Sequence, residues 1–304
     1  MSKMQIGSRA SANAVIGAIM RQANGIGESK TNAKAISNIK GQNGHKVSTK
    51  AHSIKSVQNL RTVTTQYINY LKSNYGNKVV KHISKESMKE FLLSKKLNGG
   101  SLNTYTSIMA KVVDNLNKIG IDTVERKEIH DMRKEFKSAG INLQKTHINR
   151  APESKMIPSI INNVEKSSPF GLTAKLQAYA GIRIDDAANS QKWRMNDNNT
   201  ITIMQSKNGL NYTTMQLDDK LAQEIREAIA EGYKIDKTEY SQVLKEAVEK
   251  TGQEYHGSHS LRYSFAQSRV QELREEYGYI FSEALAQTSL EMAHSREEIT
   301  RHYL

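Results

Sequence analysis

The sequence predicts a mainly α-helical chain with one small antiparallel β-sheet, built as two domains behind a basic N-terminal segment. Three observations carry this. Apolar residues recur at three- and four-residue steps over most of residues 53–140 and again over most of 155–303. Period-two alternation is confined to residues 200–216, where Lys207-Asn208-Gly209 divides two short runs as a hairpin turn would. All three prolines, Pro152, Pro158 and Pro169, fall within eighteen residues and break the helical pattern at one place.

Residues 1–52 are rich in Asn, Ser, Gly, Ala and Lys and only weakly periodic, so the expectation is a flexible basic arm with one short helix near 10–22. Residues 12–20 are too short, interrupted by Asn13 and closed by Arg21, which argues against a secretion signal. From Ser53 the pattern changes, with Ile54, Val57, Leu60, Val63, Thr64, Tyr67 and Leu71 on one helical stripe. Ser84 opens a second helix, with Lys85 and Glu86 near its start, and Asn98-Gly99-Gly100 closes it. A third helix spans 101–119 before Gly120, and a fourth spans 127–138 before Gly140. Residues 53–143 therefore read as a four-helix bundle, and the polar run 144–155 as a linker.

Residues 156–304 form the expected second domain. Helices are predicted from about 155 to 166 and from about 171 to 179. Arg183 and Asp186 lie three apart just beyond, on one face if that helix continues. The two alternating runs follow, then helices at about 218–231, 238–251, 260–276, 280–293 and 296–303. There is no internal repeat.

The charge is unevenly placed. The net +13 comes from residues 1–52 at +7 and residues 53–150 at +10, against −4 for residues 151–304. A cationic half of this size suits a polyanion better than a membrane surface, since no basic amphipathic helix with aromatic anchors stands out. No run of about 18 apolar residues is present to span a bilayer. Zero cysteines exclude disulfides and thiolate chemistry and fit a cytoplasmic protein.

The acidic half carries, in order, Arg183, Lys207, His259, Arg262, His294 and Tyr303. Taken singly each has an ordinary reading: a solvated cation, a turn lysine, an exposed first-turn histidine, a helix-end aromatic. Taken together they suit phosphodiester transfer. Guanidiniums hold a phosphate through two parallel hydrogen bonds, and Lys and His can move protons. Tyrosine is a weak nucleophile in water, but its phenolate is favoured near cations. The spacing of His259 and Arg262 points both to one side of a helix. A metal site on His256 and His259 lacks a third ligand at a recognisable spacing.

The segments GIRIDDAANSQKWRM, HSLRYSFA and LEMAHSREEITRHYL resemble the three catalytic boxes of the tyrosine recombinases, the phage integrase family. The resemblance covers roughly residues 153–304. It implies that Arg183 is the first-box arginine, Asp186 its acidic support and Lys207 the β-hairpin lysine. It further implies that His259 and Arg262 are the H-x-x-R pair, His294 the later histidine and Tyr303 the nucleophile. Trp193 falls where the family often has a tryptophan leading into the sheet. The implied architecture is a helical (SAM-like) core-binding domain of four helices followed by a catalytic domain; some members of the family add a basic N-terminal arm-binding region, and the role of residues 1–52 stays open.

The implied function is site-specific cutting and rejoining of duplex DNA through a 3′-phosphotyrosyl bond, without cofactor or metal, by a homotetramer on its recombination site. A type IB topoisomerase-like enzyme and a catalytically inactive DNA-binding protein are the alternatives. Ala293 and Tyr263 depart from the family's usual glycine and histidine. The sequence also lacks, after Leu304, the helix with which many members dock into a neighbouring subunit, so coupling by other means is the expectation.

Overall fold

The computed structural model describes residues 7, 9–41, 44–97, 99–140, 149–294 and 296–304. The chain divides into two compact units, Met1–His147 and Ile148–Leu304.

Unit 1 is helical. It contains α1 (Ala12–Ala23), α2 (Lys30–Ala35), α3 (Ile54–Tyr75), α4 (Lys85–Ser94), α5 (Gly99–Lys118) and α6 (Arg126–Ser138). Polar side chains set where several helices begin. Ser11, Ser29, Ser53 and Ser84 each accept a backbone N–H of the following first turn, satisfying donors a helix start leaves open. Leu60, Val63, Tyr67, Ile68 and Leu71 of α3 meet Met109, Val112, Val113 and Leu116 of α5 in one core. The predicted stripe is this buried face, except that Ile54 is exposed.

The expectation of a flexible arm over residues 1–52 needs correction for α1 and for residues 48–51. α1 packs against α3 and α5, and its Val15, Ala18, Ile19, Met20 and Ala23 lie within the unit 1 core. Residues 48–51 are held along one face of α5. Lys111 Nζ donates to the Lys50 carbonyl at 2.7 Å, Asn115 Nδ2 to the Thr49 carbonyl at 3.1 Å, and Lys118 Nζ to Thr49 Oγ1 at 2.6 Å. Burial lowers the Lys111 ammonium to a pKa of about 8, with Arg126 and Lys30 adding repulsion.

Unit 2 contains α7 (Ile157–Ser167), α8 (Gly171–Tyr179), α9 (Ile184–Ala187), β1 (Trp193–Met195), β2 (Ile201–Ile203), β3 (Tyr212–Thr213), α10 (Asp219–Glu231), α11 (Lys237–Glu249), α12 (His259–Glu275), α13 (Phe281–Glu291) and α14 (Glu297–Arg301). Pro158 sits in the first turn of α7, where a missing N–H costs no helix bond. The sheet is antiparallel in the order β1-β2-β3, with Trp193 opposite Ile203 and Ile203 opposite Tyr212. The two alternating runs are β2 and β3; β1 was not predicted. Of the expected linker, residues 144–148 lie outside the described residues. Asn149, Pro152 and Glu153 are hydrogen-bonded to Gln267, Ser264 and Gln253 of unit 2. α12 lies at the centre of unit 2, packed on α8 and α13.

Candidate active site

The site begins where α8 stops. Gly181 takes φ +61°, and a Cβ there would lie 2.4 Å from the Phe265 ring, so only glycine fits. The helix therefore does not continue through Arg183. Instead Arg183 is the N-cap residue of α9, and its Nη2 donates to the Ala293 carbonyl at 2.9 Å. Asp186 is buried. Its carboxylate accepts from Lys192 Nζ at 2.8 Å and from Ser206 Oγ at 2.5 Å, and its carbonyl accepts from Trp193 Nε1 at 2.7 Å. Asp186 thus ties α9 to β1 and to the loop that carries Lys207 next to Ser206.

His259 is the first residue of α12, and Arg262 lies one turn further on. Arg262 is fully buried, the largest side chain to be so among the described residues. Its two terminal nitrogens donate to the carbonyls of Gly181 and Met292, and Nη2 also to His294 Nε2 at 3.0 Å. Its Nε has no hydrogen-bond partner among the described residues. Burial, with Arg183 second, lowers the Arg262 pKa to about 10, which leaves it cationic at neutral pH.

These bonds assign the His294 ring. A guanidinium only donates, so Nε2 must accept and Nδ1 must carry the proton. Nδ1 then donates to Thr300 Oγ1 at 2.7 Å. The Ser289 hydroxyl lies within donating reach of both Thr300 Oγ1, at 2.6 Å, and the Leu285 carbonyl, at 2.7 Å. Arg262, His294, Thr300 and Ser289 form one hydrogen-bonded chain ending on α13.

Tyr303 lies just beyond α14, and only 8 % of it is exposed. Its hydroxyl is 2.5 Å from His259 Nε2. Burial, followed by Arg262 and Arg183, depresses His259 to a pKa of about 4 and His294 to about 3. Both imidazoles are neutral at pH 7, and in its Nδ1–H tautomer His259 can accept the phenol hydrogen bond at Nε2. Lys207 is exposed and lines, with Arg183, Asp186, His259, His294 and Tyr303, a cleft of about 750 Å³. The cleft offers cations around a hydroxyl beside a neutral base, a setting that favours transfer to a phosphoryl centre.

Six of the seven side chains singled out in the sequence line this cleft, and Arg262 lies buried beside it, bonded to His294. Ser206, Lys192, Thr300 and Ser289 were not singled out. Short polar residues carry no pattern in a sequence, although Thr300 stands three residues before Tyr303 on the last helical segment. His256 Nε2 lies 3.7 Å from Glu254, and no cluster of three potential metal ligands exists among the described residues. Ala293, in place of the family's usual glycine, keeps a left-handed backbone at φ +51°.

No protein-family model and no curated protein matches the sequence. Solved structures do match in fold. XerH site-specific recombinase, in a post-cleavage complex with a palindromic difH substrate, aligns at a TM-score of 0.62, with 13 % identity over 99 % of this chain and 95 % of that one. This is a tyrosine recombinase fold. A lambda integrase tetramer bound to a Holliday junction shares the tyrosine recombinase fold at a TM-score of 0.58, with 12 % identity over 95 % of this chain and 79 % of its own. The Tn1549 transposon integrase in complex with transposon right end DNA gives 0.53, with 10 % identity over 97 % and 94 % of the two chains.

Proposed function

We propose that this chain is a site-specific recombinase that cuts and rejoins duplex DNA through a 3′-phosphotyrosyl intermediate. The observation that carries the reading is the Tyr303 hydroxyl, held 2.5 Å from a neutral His259 in a cleft that Arg183 and Lys207 also line.

Arg183, from the cleft, and Arg262, from beneath it, would stabilise the charge that gathers on the non-bridging oxygens in the transition state. Tyr303 passes its proton to His259 and its oxygen bonds to phosphorus. The bond from phosphorus to the 5′-oxygen breaks, and Lys207, on its exposed loop, protonates the departing oxygen. His294, fixed as the Nδ1–H form, orients Arg262. A 5′-hydroxyl from a partner duplex reverses the step. One phosphodiester is exchanged for another, so neither nucleotide hydrolysis nor a metal ion is required. Asp186 acts at one remove, by fixing the loop that carries Lys207.

The cationic residues 1–150 would supply most of the DNA affinity through phosphate contacts. A homotetramer on its DNA site, working in the cytoplasm of a bacterial or phage host, fits the fold shared with a tetrameric junction complex. No helix among the described residues is long and apolar enough to cross a membrane.

Nicked duplexes tiled from the DNA flanking the gene provide the test. The protein is expected to give an SDS-stable adduct with one of them, and Tyr303→Phe none. DNA binding without an adduct would indicate an inactive binding protein. An adduct with supercoil relaxation but no exchange between duplexes would indicate a topoisomerase.

A further inference from the structure

Tyr303 follows α14, a helix of five residues that is too short to be stiff by itself. What holds the side chain comes instead from one face of α12. His259, Tyr263 and Gln267 are spaced four apart on that helix and meet Tyr303 in order along its length. His259 Nε2 meets the hydroxyl at 2.5 Å. The Tyr263 ring stacks on the Tyr303 ring, with centroids 4.2 Å apart and planes 24° from parallel. Gln267 Nε2 donates to the Tyr303 backbone carbonyl at 2.8 Å.

We propose that Tyr263 and Gln267 are positioning residues that seat Tyr303 against His259, so that one face of α12 serves as a template for the nucleophile. The importance of this seating for catalysis rests on the strand-exchange reading; the seating itself does not. Tyr263 acts through its ring: a stacked aromatic fixes the plane of its neighbour, and the Tyr263 hydroxyl makes no contact with Tyr303 that the stack requires. Gln267 fixes the backbone from which the Tyr303 side chain extends. Neither touches the reacting atoms. Loss of either leaves the hydroxyl free to swing from His259, and a misplacement of about 1 Å at a reacting group can cost on the order of 100-fold in rate.

Two readouts on the full chain separate the seating from the reading it rests on. The first is nitration of Tyr303 by tetranitromethane, mapped by mass spectrometry, which needs no activity. Tyr303 should be protected in the wild type and in Tyr263→Phe, and modified several-fold faster in Tyr263→Ala and Gln267→Ala. The second is single-turnover adduct formation at saturating DNA. Here Tyr263→Ala should be slower by on the order of 100-fold and Gln267→Ala by about tenfold. Tyr263→Phe should restore the rate to within about threefold, with DNA affinity unchanged throughout. Gln267→Ala, which deletes no core side chain, keeps the test decisive should Tyr263→Ala fold poorly. Equal nitration of Tyr303 in all four proteins overturns the seating, as does a Phe variant as defective as the Ala variant. Protection that follows the expected order without any wild-type adduct would uphold the seating and reject strand exchange.

Discussion

His294 Nε2 accepts a hydrogen bond from Arg262 at 3.0 Å, so the imidazole beside a buried guanidinium is held in one neutral tautomer. Protonation of this ring would set two cations against each other in a largely buried site. That is the physical reason, after burial itself, for its depressed pKa of about 3.

This has a pH signature. A histidine whose folded pKa lies below its unfolded value of about 6.5 gives its full contribution to stability above that pH and loses it as pH falls towards the folded value. For His259 and His294 the window runs from about 6.5 down to about 4 and 3. Thermal midpoints should therefore drop as pH falls through this range, and less steeply in His294→Gln. The acid limb of adduct formation by the free enzyme should centre near 4 and not near 6.5.

Thr300 Oγ1 accepts a hydrogen bond from His294 Nδ1 and another from the Ser289 hydroxyl. Thr300→Val keeps the shape and removes both roles, leaving His294 Nδ1 buried without an acceptor. A loss of about 1–3 kcal/mol is expected in a urea melt, together with slower adduct formation. Thr300→Ser should retain most of both.

Ala293 holds φ +51° while its carbonyl receives Arg183. A left-handed alanine costs about 1–2 kcal/mol, against which glycine's extra unfolded-state freedom is about 0.4–1 kcal/mol. Ala293→Gly should raise stability by up to about 1.6 kcal/mol, measured by chemical denaturation, with little change in the site.

Removal of residues 1–52 should do more than weaken DNA binding. Val15, Ile19 and Met20 are almost fully buried in unit 1. At about 1.5–3 kcal/mol per side chain their loss alone approaches the whole stability of a typical domain. The truncated protein should lose the cooperative unfolding of unit 1, seen by circular dichroism in urea. Unchanged unfolding would show that this segment is dispensable to the fold.

The helices of both units were legible because Leu60, Val63, Tyr67 and Leu71, or Leu221, Ile225 and Ala228, recur with helical spacing on faces that are in fact buried. The hairpin was legible from alternation around Lys207-Asn208-Gly209. β1 was not, since Trp193-Arg194-Met195 stands alone, whereas β2 and β3 flank a turn signal within longer alternating runs. The docking of α1 and of residues 48–51 was hidden because one short apolar face and backbone carbonyls, gripped by Lys111, Asn115 and Lys118, leave little trace in composition. At the site, charged and aromatic residues were visible by type and order. Their supports were not, because Ser206, Ser289 and Thr300 owe their roles to contacts formed only in the fold. The break at Gly181, which makes Arg183 a cap and not a continuing helix residue, depends on the approach of Phe265 from α12.

The claim that Tyr303 is the nucleophile is tested most directly by the identity of the covalent bond. Adduct trapped on a nicked duplex, digested with nuclease and protease, should yield a peptide carrying a 3′-linked nucleotide on Tyr303. A nucleotide on any other residue, or an adduct that persists in Tyr303→Phe, would contradict it.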